Sequence, residues 1–154
     1  MKLYKKILLA LLVVLVVIQF IRPTANKTGN ILSTDLGRIY NVPQNAEAIL
    51  QNSCYDCHSN NTHYPWYAQV QPLGWLLASH IQKGKAVLNL SDFGSYSKRR
   101  QASKLRGMAN SIQDGSMPLW SYTLIHKKSR LSNEDKKLII DWLERTRDSL
   151  NKIE

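Results

Sequence analysis

Residues 54–58 read Cys54-Tyr55-Asp56-Cys57-His58, and they hold the only two cysteines of the chain. Three chemistries use two thiols at this spacing. In the first, each cysteine bonds one vinyl group of a haem, and the adjacent histidine reaches the iron as proximal ligand. The second is thiol–disulfide exchange. Exchange sites set the first cysteine at a helix N-terminus after a strand, where the dipole lowers its pKa, whereas here the pair follows a helix. The third is zinc, with Cys54, Cys57, His58 and His63 as a four-ligand set. Structural zinc, however, normally draws its second pair from further away. Haem attachment requires export, and the chain opens with an export signal. The leading expectation is therefore one covalent haem c, with thioethers from Cys54 and Cys57 and iron bound by His58. Zinc and dithiol chemistry remain the alternatives.

Upstream lies that export signal. Lys2, Lys5 and Lys6 precede an apolar run over residues 7–21 that only Gln19 interrupts. As a helix, Leu3 to Ile21 would measure roughly 28 Å at about 1.5 Å per residue. That just spans a bilayer core of about 30 Å when the lysines snorkel. Arg22 and Pro23 make a poor cleavage site. The expectation is an uncleaved anchor over residues 1–21, placing the chain in the inner membrane as a single-pass protein with its domain facing the periplasm. Residues 22–41 lack a sustained period and read as a linker. The remaining 42–154 have room for one small domain.

Downstream, helical periodicity predicts four helices. The first covers 43–53, with Val42, Ala46, Ile49 and Leu50 at helical spacing. The second covers 73–83 and ends at Gly84. The third runs from Ser97 to Gln113 and is stopped by Asp114-Gly115. The fourth follows a Ser132…Asp135 capping pair and carries Leu138, Ile139, Trp142 and Leu143 on one face. No strand pattern emerges. The expected class is all-α: a transmembrane helix, then a cytochrome c-like domain of about four helices with long loops. Loops of that length need a body to pack on, which a haem provides. Trp66 and Trp75 are candidate haem-pocket contacts, with Trp120 and Tyr67 behind them, although core packing explains each one alone.

The iron of an electron carrier takes a sixth ligand, Met or His. Met108 falls inside a helix. Met117 falls in Gly115-Ser116-Met117-Pro118, where proline restrains the loop. Met117 is the expected distal ligand. His80, on the apolar face of the second helix, is the alternative, ahead of His126 and an open site.

These residues resemble those of the bacterial haem-binding domain family of small, membrane-anchored, c-type cytochrome-like proteins. The likeness runs through Ser53-Cys54-Tyr55-Asp56-Cys57-His58-Ser59-Asn60, Tyr64-Pro65-Trp66-Tyr67, Gln71-Pro72 and Trp75. It continues through Gly84, Leu88-Asn89-Leu90-Ser91 and Gly115-Ser116-Met117-Pro118 to Glu134…Trp142-Leu143. It covers about residues 36–147. The resemblance implies one covalent haem, proximal His58 and a Met117 ligand, and leaves the physiological role open.

The 154 residues carry a formal charge of +10. Most of it sits between Lys83 and Arg130, where ten basic residues face two acidic ones, and residues 98–106 (KRRQASKLR) hold five cations. A solvated face explains such a run. So does docking on an acidic redox partner, where charge complementarity raises the association rate. Nucleic acid is not an expected partner for an exported domain. The functional expectation is a membrane-anchored, single-haem electron carrier rather than a catalyst. The alternative is a haem enzyme or sensor whose labile sixth site binds peroxide or a gas.

Overall fold

The computed structural model describes residues 2–151; Met1, where the expected anchor begins, and 152–154, where the expected domain ends, lie outside the described residues. The described residues form eight α-helices: α1 (Leu3–Ile18), α2 (Leu36–Ile39), α3 (Gln44–Ser53), α4 (Tyr55–His58), α5 (Leu73–Val87), α6 (Lys98–Gln113), α7 (Trp120–Ile125) and α8 (Asn133–Asn151). Three short 3-10 turns complete them, at Trp66–Gln69, Phe93–Ser95 and Lys127–Ser129. Among the described residues there is no strand, only an isolated antiparallel bridge between Lys27 and Asn61.

The expected transmembrane helix is corrected. α1 has 16 residues, roughly 24 Å at about 1.5 Å per residue. No helix among the described residues is long and apolar enough to cross a membrane. The polar residue within the run sets the limit. Gln19 caps α1, and its amide donates to Leu15 O (2.9 Å) and to Gln71 O (3.2 Å). Its carbonyl accepts from Gln71 N at 2.9 Å, and Ile21 O accepts from the Trp75 indole at 2.8 Å. Residues 19–21 are thus turned onto the domain instead of extending the helix. No side chain of α1 is buried.

α6 and α8 pack against each other, with α3 laid across α8. Ala46, Ile49 and Leu50 of α3 meet Leu105, Met108, Ala109 and Ile112 of α6, and Ile139, Trp142, Leu143 and Leu150 of α8. Each fully buried Leu, Ile or Met contributes about 1.5–3 kcal/mol. Leu88, Leu90 and Phe93, from the segment between α5 and α6, close the same core. The capping pair forms as expected: Ser132 N donates to Asp135 Oδ2 and Asp135 N to Ser132 Oγ, both at 3.0 Å.

The residues assigned to a linker pack on the domain. Asp35 and Leu36 are buried, and Leu36 joins the core. Asn26 ties three segments together. Its side-chain amide donates to Ser59 O and Thr62 Oγ1, its Oδ1 accepts from Lys85 Nζ at 2.6 Å, and its backbone N donates to the Tyr64 hydroxyl.

Candidate functional site

α3 delivers the cysteine pair. It ends at Ser53, and Cys54 N still donates to Leu50 O at 2.9 Å. The chain then rewinds into the four-residue α4, where Cys57 N and His58 N both donate to Cys54 O (3.2 and 3.0 Å). The exit of α5 fixes α4. Leu90 N donates to His58 O at 2.7 Å, and His58 Nδ1 donates to Leu88 O at 3.1 Å. Asn89 and Ser91 bond to Asn60 across the same seam. α5 can come this close because residue 84 is glycine. A Cβ there would stand 2.8 Å from Cys57 O and 3.4 Å from His58 Cε1. Gly84 therefore marks a helix contact, and α5 runs past its expected end to Val87.

Beside this seam lies a cavity of about 270 Å³. Cys54 and His58 line it. Met108, Ile112, the loop residues Met117 and Pro118, and Ile49, Leu88 and Leu131 also line it. Met117 is set by a backbone bond from its N to Ser111 O (2.9 Å), just past Gly115, whose φ of 76° suits glycine. The structure thus brings Cys54, His58 and Met117 to one cavity. Cys57 is near the Tyr67 and Tyr122 hydroxyls and does not line it. Trp66 stands 79 % exposed, Trp75 bonds to Ile21, and Trp120 is 77 % exposed; none of the three lines the cavity. His80 is half-buried on α5 and also lies off the lining. His126 is engaged elsewhere, with Nε2 2.7 Å from the Tyr67 hydroxyl and its ring stacked on Tyr122 at 4.3 Å.

Burial, with a smaller push from Cys57, raises the Cys54 thiol to about 12. Burial and then the charge of Asp56 raise Cys57 to about 11. Cys54 is the N-cap of α4, a position that favours a thiolate, but a single-turn helix does not offset that burial. Neutral thiols are poor exchange nucleophiles, so the dithiol alternative loses support. Zinc loses it too, since among the described residues no three His, Cys, Asp or Glu side chains converge on a metal position. His63 is exposed and faces Asp56.

A second set of contacts clamps the motif from outside. Tyr122 Oη donates to Asp56 Oδ2 at 2.6 Å, and Tyr55 Oη donates to Asp35 Oδ1 at 2.7 Å. Burial, then the bonded carboxylate, keeps both phenols protonated well above their ordinary range. Sequence reasoning missed these clamps, along with Asn26 and the Leu88 carbonyl. A backbone acceptor leaves no mark in a sequence, and an asparagine outside any periodic segment leaves little more.

The lining fits a haem. Apolar walls suit a flat apolar ring, and a thiol stands at one wall. The Nδ1–H donated to a carbonyl leaves His58 Nε2 as a lone pair for iron. Met117 adds a thioether, a soft donor, to the same lining. No curated protein and no solved structure matches the chain. A family model described as a haem-binding domain matches residues 13–145. The chain belongs to that haem-binding domain family, and haem is its cofactor.

Proposed function

We propose that this is an exported single-haem protein that holds haem c through Cys54 and Cys57 and carries electrons in the periplasm. The observation that supports it is the meeting of Cys54, His58 and Met117 on one apolar cavity. Bound haem supplies one-electron chemistry at iron. The chain's residues orient and tune it. The Leu88 carbonyl fixes the tautomer and ring plane of His58. Met117 offers a weakly donating sulfur that favours reduced iron. Ile49, Met108, Ile112 and Leu131 on the lining would shield the ring from water. The cations of α6 suit an acidic redox partner.

Haem staining on a denaturing gel tests the attachment. Wild-type protein made with haem-attachment machinery should stain, and Cys54→Ala/Cys57→Ala should not; full staining of the double variant overturns covalent binding. Ferric spectra test the carrier. The wild type should show the weak sulfur-to-iron band, and Met117→Ala should lose it and bind CO. A wild type that binds CO readily would replace the carrier with an enzyme or sensor.

A further inference from the structure

Fifteen residues line the haem cavity, and Lys104 is the one Lys, Arg, Asp or Glu among them. It belongs to the basic run of α6, but it differs from its four neighbours there. Lys98, Arg99 and Arg106 line a separate surface depression beside Leu150. Arg100 lies over the Tyr96 ring at 4.6 Å. Lys104 is half-buried, and its Nζ donates to the carbonyl of Val87, the last residue of α5. The next carbonyl, Leu88 O, holds His58 Nδ1. The ammonium and the proximal histidine therefore hang from consecutive peptide units on one rim of the cavity. The other titratable groups on the lining are Cys54 and His58, both taken up by the haem.

A haem is an apolar disc with two carboxylates on one edge. An ionised carboxylate at the margin of an apolar cavity is costly unless it is paired. We propose that Lys104 is the anchor for a haem propionate: it pairs with the carboxylate at the exit of α5 and raises the reduction potential. This rests on the reading that haem occupies this cavity. A cation at that edge favours the reduced iron, which carries one positive charge fewer. It also holds the propionate ionised to lower pH, since an opposite charge nearby lowers a carboxyl pKa by about 1–3 units.

The test is the reduction potential of full-length, haem-loaded protein as a function of pH. Lys104→Gln keeps an N–H donor for Val87 O and removes the charge. Its potential should fall, and the pH step that marks propionate ionisation should move up by about one unit or more. Lys104→Arg should keep both near the wild-type values. Lys104→Gln with an unchanged potential and step overturns the assignment, as does an equal change in Lys104→Arg. If Lys104→Gln fails to load with haem, loading of Lys104→Arg supports the anchor and failure there overturns it. A wild type that takes up no haem overturns the cavity reading itself, which keeps the two failures apart.

Discussion

Gly84 packs against the cysteine motif and Gly107 lines the cavity, on two different helices, and an added side chain meets opposite surroundings at each. At Gly84 the first obstacle is backbone, Cys57 O at 2.8 Å, which has nowhere to move. Gly84→Ala should cost about 1–3 kcal/mol, the usual range for overpacking, read as a lower melting temperature. It should also loosen the His58–Leu88 bond and weaken haem retention. Gly107 lines the cavity, and a Cβ there meets nothing within 4 Å. It lies inside α6, where glycine costs about 1 kcal/mol relative to alanine. Gly107→Leu should leave the haem-free protein at least as stable as wild type and sharply lower haem loading, read from haem against protein absorbance. Unchanged loading would mean that haem sits elsewhere. Asn26→Ala should be destabilising by about 2–3 kcal/mol, because it strips partners from Ser59 O, Thr62 and Lys85 together. Chemical denaturation measures it.

Among the elements, α7 acts as a strap. It starts three residues after Met117, and Tyr122 on it bonds to Asp56 inside the cysteine motif. Tyr122→Phe removes that one bond to a carboxylate, worth about 1.5–3 kcal/mol. The Met117 loop should then open more often, and the ferric protein should bind imidazole faster with its resting spectrum nearly unchanged. Equal rates would show that the loop is held without the strap. α7, α2 and α4 hold six residues or fewer each, too short to establish a period. By contrast α3, α6 and α8 each carry apolar stripes over ten or more residues, and periodicity places them well. α5 shows where a local rule misreads: Gly84, expected as a stop, is the point where α4 touches it. Residues 54, 57, 58 and 117 stand out by chemistry alone. Lys104 does not, because within KRRQASKLR every cation looks alike until the helix is rotated against the cavity.

For the molecule as a whole, α1 and the domain are nearly separable. α1 buries nothing, and its ties to the domain begin at Gln19. Removing residues 2–18 should change the domain's stability by no more than about 0.5 kcal/mol. Removing residues 2–30 should cost several times that, because Asn26 goes with them; thermal melts of the two truncations compare the cases. The charge is asymmetric on the same scale. If α6 docks an acidic partner, electron transfer should slow as salt brings the Debye length to about 8 Å. Neutralising Lys98, Arg99 and Arg100 should flatten that dependence, and unchanged kinetics would leave those cations as a solvated face.

The protonated thiols carry a consequence for the timetable of assembly. With Cys54 raised to about 12 and Cys57 to about 11, both thiols stay protonated in the folded domain and are weak nucleophiles. On the proposed attachment, the thioethers should form while the chain is still open, before the fold closes around the two thiols. Maturation is then a one-way door. A domain that folds first without haem should stay unmodified when haem, reductant and the attachment machinery are added, and the same chain, unfolded and offered all three during refolding, should acquire haem covalently.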